Sequence, residues 1–166
     1  MRRCALLLLL ALVGACDRGD DAAPGAAAPL ASFDTVAARI ETATDTFRLT
    51  VEVAETEEQR AIGLMERPVL PEDHGMLFLY PEPQDSGSGF WMYRTLIPLD
   101  IAFLDAEGRI TQIRAMEPCQ SPNPRTCRVY TADEPYTSAL EVNRGYFAQR
   151  GVGVGDRVVL DEGGEG

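Results

Sequence analysis

The stretch GFWMYRTLIPLDIAFLD, residues 89–105, is the densest apolar run of the chain outside its N-terminus, and it holds the only Trp, Trp91. Side chains alternate sides along an extended strand. Leu99, Ile101 and Phe103 therefore share one face, and Asp100, Ala102 and Leu104 the other. Both faces are mostly apolar, the pattern of a central strand covered on both sides. Asp100 then sits in or near the core, where an unpaired carboxylate is costly and must find a partner or a proton. Arg94 is the nearest candidate, across a turn through Ile97-Pro98; Thr95, Arg67 and backbone N–H groups are the alternatives. Asp100 reads either as an ion-pairing or turn-capping residue, or as a general acid, base or ligand anchor. Upstream, Trp91 and Tyr93 share one face, with Phe90 and Met92 on the other. One pair belongs to the core. The other lines a surface where aromatic rings could stack on a sugar or another flat ligand.

Outward from this run, the chain reads as short strands joined by tight turns. VAARIET and DTFRLTVEVAE alternate, with Phe47, Leu49, Val51 and Val53 on one face, and predict a hairpin turning near Thr44-Asp45. Thr56-Glu57-Glu58-Gln59 is a capping-box start for one principal helix, about residues 56–66, with Pro68 forcing its stop. GMLFLY (75–80), FWMYRT (90–95), LDIAFLD (99–105), RITQIRAM (109–116), YTSALEVN (136–143) and VGDRVVL (154–160) predict strands. A helical turn or two over residues 144–150 ends at Gly151. Seven to eight short strands with one helix give an α+β domain, mainly an antiparallel β-sheet or small barrel.

The ends of the chain read differently. Arg2 and Arg3 precede the apolar run ALLLLLALV (5–13), which is too short to span a bilayer as a stable helix. Val13-Gly14-Ala15-Cys16 then resembles a bacterial lipoprotein signal, with cleavage after Ala15 and lipid on Cys16. The resulting division is a signal peptide at 1–15, a lipidated Cys and flexible tether rich in Ala, Pro, Gly and Asp at 16–32, one globular domain at 33–162, and a tail at 163–166. The expected location is the bacterial cell envelope, anchored to a membrane and facing the periplasm or the exterior. An ordinary signal peptide with an incidental Cys is the alternative.

Formal net charge is −11, and all fifteen basic residues are Arg. Such a surface repels phosphate backbones, so nucleic acid is not an expected partner. Cys119 and Cys127, in CQSPNPRTC, form an even pair suited to a disulfide in an oxidising compartment. Closing that loop would stabilise by about 2.5 kcal/mol on a chain-entropy argument. A metal or redox pair is the alternative, but the spacing is not C-x-x-C and no His is near. The single His, His74, sits beside two acids in a turn, a poor metal set. No glycine pattern fits phosphate binding, and no nucleophile motif appears, so neither metal nor cofactor is expected. Asp100 with Asp105, Glu117 or Glu141 could form a glycosidase carboxylate pair, a weak signal in an acidic chain.

Several linked segments carry a resemblance. Gly63-Leu64-Met65, Gly75-Met76-Leu77-Phe78, Phe90-Trp91-Met92 with Thr95, Pro98, Leu99, Asp100 and Ile101, and Val154-Gly155-Asp156-Arg157-Val158 resemble the domain-of-unknown-function 192 family. The resemblance runs from about Phe47 to Leu160. It implies a small β-rich domain, often secreted or lipid-anchored, and no particular activity. Tyr93-Arg94 departs from it, since the family more often has Lys-Asn there. The leading functional expectation is a membrane-anchored, non-catalytic domain binding a small molecule, glycan or envelope protein through Trp91, Tyr93, Arg94, Thr95 and Asp100. Its rivals are an envelope hydrolase using Asp100 as acid or base, and a structural or assembly factor.

Overall fold

The computed structural model describes residues 31–161. The expected signal peptide, Cys16, nearly all of the tether and the 163–166 tail lie outside the described residues. Strands β1 (Asp34–Glu41) and β2 (Thr46–Ala54) form the expected hairpin, closed by the Thr42 N–H donating to Asp45 O at 2.9 Å. The capping box is also present, opening α1 (Glu57–Ile62). Thr56 accepts the Gln59 N–H, and Gln59 accepts the Thr56 N–H in return. This helix ends four residues earlier than the 56–66 reading. Gly63 caps it at φ +49°, its N–H bonded to Gln59 O. Met65, inside the 56–66 reading, lies in the turn that follows.

Strand β3 (His74–Gln84) lies parallel to β2, Thr50 opposite His74. Parallel neighbours need a crossover of a dozen or more residues, and the segment around α1 supplies it. The remaining elements are β4 (Gly89–Trp91), β5 (Leu99–Leu104), β6 (Ile110–Met116), β7 (Val129–Thr131), β8 (Tyr136–Asn143), α2 (Tyr146–Arg150) and β9 (Arg157–Leu160). Seven of the strands form one mixed sheet in the order β6-β5-β8-β3-β2-β1-β9, rather than a purely antiparallel one. It curls into a half-barrel, and its two edges touch where the Val158 N–H donates to Gly108 O and the Ile110 N–H to Asp156 O, each at 2.8 Å.

The reading of FWMYRT and LDIAFLD as strands either side of a turn is corrected. Strand β4 is only three residues long and pairs with β7 as a separate ribbon, while both edges of β5 are taken by β6 and β8. Arg94 sits at φ +56°, so the chain leaves the extended conformation before it could return alongside itself.

All six residues of β5 are buried, as its two apolar faces require. Leu99, Ile101 and Phe103 join an outer core with Phe78, Phe90, Met92 and Tyr130, roofed by the ribbon and the chain after α1. Ala102 and Leu104 join an inner core drawn from all seven strands and α2, including Ile40, Val51, Leu140 and Phe147. Each fully buried Leu, Ile or Phe side chain contributes about 1.5–3 kcal/mol. At Gly75 of β3 a Cβ would stand 2.6 Å from Glu141 O and 3.1 Å from Val142 Cγ1 on β8. Gly75→Ala should therefore lower stability by about 2–3 kcal/mol, read as a fall in the urea midpoint at unchanged slope.

Candidate functional site

The ribbon is seated by its inward residues. Phe90 meets Phe78 edge to face with ring centroids 4.9 Å apart and Phe103 at 5.8 Å, and Met92 and Tyr130 are buried beside it. Strand alternation then turns Trp91 outward, 42% exposed, directly opposite Val129, 54% exposed. The Tyr93 ring lies 5.8 Å from the indole, tilted by 45°. Of the two alternating pairs, Phe90 and Met92 are core, while exposed Trp91 and half-buried Tyr93 lie on the outer side. The Cys119–Cys127 disulfide is formed. It ties the strands together, since the Cys119 N–H donates to Met92 O and the Arg94 N–H to Cys119 O, both at 3.0 Å.

Arg94 does not reach Asp100. It pairs with exposed Glu66, whose N–H donates to Arg94 O at 2.8 Å. Among the described residues these are the two non-glycine residues with positive φ, +59° at Glu66 and +56° at Arg94. Left-handed backbone costs roughly 1–2 kcal/mol per ordinary residue and is milder for Asn. Such strain gathers at functional sites, and here it lies one residue from Tyr93. Arg67, another candidate partner for Asp100, holds Glu52 instead. Thr95 is buried; its N–H donates to Met92 O and its carbonyl accepts from Gln120 Nε2, so it secures the turn.

Asp100 is 6% exposed and engaged. Its Oδ2 accepts the Gly145 N–H at 2.7 Å, and Arg144 Nε lies 3.4 Å from Oδ1. Burial raises its carboxyl above the ordinary range against the opposing pull of Gly145 and Arg144. It pins the entry to α2 on the inner face of the sheet, whereas Trp91 stands over the outer face. The ion-pairing, capping role is therefore the geometry present, with Arg144 rather than Arg94 as partner.

Glu141 is the group the sequence reading undervalued. It lies between Met76 and Ile101 in the ladders, hence on the outer face, so it cannot pair with Asp100 across the sheet. It is 4% exposed, and no hydrogen bond to its carboxyl occurs among the described residues. Burial alone pushes that carboxyl up to about 8. Three hollows lie apart from Trp91 and Asp100: one of about 420 Å³ by Arg109, Asp133 and Val154, one of about 390 Å³ by Glu41, Arg109 and Arg157, and one of about 290 Å³ between Leu79, Leu104, Ser138 and Leu160. No His, Cys, Asp and Glu grouping suited to a metal occurs among the described residues.

Residues 38–160 match the DUF192 family, described as uncharacterized ACR. The chain belongs to the DUF192 family. Two solved structures are similar to this DUF192 domain. A proposed transcription regulator from Sinorhizobium meliloti 1021 is 34% identical, with a TM-score of 0.71 over 78% of this chain and 96% of that one. A protein of unknown function from Novosphingobium aromaticivorans DSM 12444 is 31% identical, with a TM-score of 0.67 over 83% and 94%. No curated protein matches.

Two outcomes follow from these geometries. The folded domain keeps a proton on Glu141 that the unfolded chain releases near pH 4.5, so stability should fall as pH rises from there to about 8 and stay low above it. Urea unfolding across that range should show the fall, and Glu141→Gln, which imitates the neutral carboxyl, should remove most of it. At the strained turn, Arg94→Asn should leave stability within about 0.5 kcal/mol, because backbone relief offsets an exposed ion pair. The β-branched Arg94→Val should cost about 1–2 kcal/mol in the same assay.

Proposed function

We propose that this DUF192 chain is a non-catalytic binding domain of the bacterial envelope, tethered by lipid on Cys16, whose ligand surface is the Trp91–Tyr93 face. The carrying observation is an exposed indole beside a phenol on a ribbon fixed by the Phe90 anchor, the Cys119–Cys127 disulfide and the strained Glu66–Arg94 contact. Aromatic side chains bury a large area when covered, and leaving one open on a rigid element favours a partner that covers it. A sugar ring or another flat ligand fits such a surface. The disulfide and the N-terminal sequence support an oxidising compartment outside the cytoplasm. The hydrolase reading needs a free carboxylate at Asp100, and that carboxylate is occupied by Gly145 and Arg144.

Since Trp91 is the only Trp, intrinsic fluorescence reports on this face alone. A panel of neutral and acidic oligosaccharides should include members that shift its emission. Trp91→Ala and Tyr93→Ala should each weaken capture at least tenfold by calorimetry without moving the unfolding midpoint. Variants that unfold the domain with no separable binding defect would show that the face is structural only.

A further inference from the structure

Glu141 sits where the cover of the outer core is divided. On that face of β8, Ala139, Glu141 and Asn143 follow one another. Ala139 lies between Phe78 and Phe103 in the ladders, and the Phe90 ring meets both of those rings. The ribbon is therefore seated over the Ala139 row. At the other end, Asn143 Nδ2 donates to the carbonyls of Leu70 and Pro71 at 2.9 and 3.1 Å, which holds the chain after α1. Glu141, flanked by Met76 and Ile101, occupies the row between these two anchorages. Among the described residues, the polar contacts joining the two parts of the cover are those of Glu66 with Arg94, both in left-handed backbone.

No backbone ladder ties the ribbon to the seven-stranded sheet. It is held by the Phe90, Met92 and Tyr130 side chains and by Arg114 Nε, which donates to Thr131 O at 2.6 Å. Three-residue strands do not persist alone, so a lifted ribbon loses its own ladder too. The charged and titratable groups around Glu141 are spent elsewhere. Glu52, opposite Met76, holds Arg67, and Arg114, opposite Ile101, holds Thr131 and Asp133. On β3, His74 stands at the strand's start and Tyr80 packs edge to face on Tyr136, 5.7 Å away. From the cover, Tyr130 accepts the Glu117 N–H, and Glu66 and Arg94 hold each other. β5 turns only Leu99, Ile101 and Phe103 to this side. A buried carboxyl without a partner is tolerated with its proton on, in line with its rise to about 8. Once ionised it demands water, and the division in the cover admits water without breaking any ladder of the sheet.

We infer that Glu141 is a proton-operated latch on the ribbon, whose ionisation unseats β4 and β7 while the seven-stranded sheet stays folded. Trp91 and Tyr93 ride on that ribbon, so their surface is assembled while the latch is closed. Whatever covers that surface and the proton on Glu141 then favour each other. The latch operates whether or not a ligand is present, so it is tested without one, by native-state hydrogen exchange from pH 5 to 9 with each rate divided by its intrinsic value. Amides of β4, β7 and Cys119 should report a larger opening constant than those at the centre of β5. That constant should rise roughly tenfold per pH unit up to about pH 8 and then level off, because each opening releases one proton. Glu141→Gln should flatten the profile. Glu141→Met, which brings no polar group to satisfy, should flatten it as well and repeats the measurement with a side chain suited to the core. A ribbon opening that is flat with pH in the native protein, or equally steep in both variants, would overturn the latch. One common opening constant for the ribbon and β5 would mean that the ribbon leaves only with the whole fold, and overturns it too. So does a slope confined to the amides of residues 64–70, which would put the moving part in the other half of the cover.

Discussion

The full burial of β5 imposes a demand that the neighbouring elements exist to meet. A strand wet on neither side needs a ladder at each edge, because its backbone groups must be paired, and a covering on each face. β6 and β8 provide the ladders, and the curl of the sheet with α2 fills the inner side. The outer side would stay open without the β4–β7 ribbon. Three-residue strands cannot form a stable sheet alone, so the ribbon depends on the side chains it inserts, chiefly Phe90, Met92 and Tyr130. The same alternation that sends Phe90 and Met92 inward obliges Trp91 and Tyr93 to face out. Core closure and the candidate binding face are two sides of one short ribbon.

Two buried carboxyls sit on adjacent strands and are treated in opposite ways. Asp100 has a donor and a cation, both from the chain entering α2, and fastens that helix to the sheet. Glu141, one strand over and on the opposite face, has neither among the described residues, and burial favours its neutral form. The first is a structural rivet. The second is a position where the domain accepts a cost that Met or Leu would not incur.

Much of the fold was legible because period-2 alternation is strong in this chain. The β1–β2 hairpin, the doubly buried β5 and the β8 boundaries at 136–143 all follow from it. What alternation cannot convey is which strand lies beside which. FWMYRT and LDIAFLD looked like consecutive arms of a hairpin, but the left-handed residue at Arg94 breaks the path, and an Arg gives no warning of that conformation. The same limit hid the partner of Asp100, because Arg144 reaches it through a ladder between β5 and β8 rather than along the sequence. At the candidate face, alternation paired Trp91 with Tyr93 and Phe90 with Met92 but did not decide which pair would be wet.

One topological detail bears on how the domain carries load. β1 is not at the sheet margin, as first strands often are, but is flanked by β2 along its whole length and by β9 over four residues. The chain enters the sheet at Asp34, the beginning of that strand. Tension arriving there along the strand axis strains both ladders side by side, so their bonds must yield together in shear rather than unzip singly. Under the proposed tether, that pull would enter through a strand laddered on both sides.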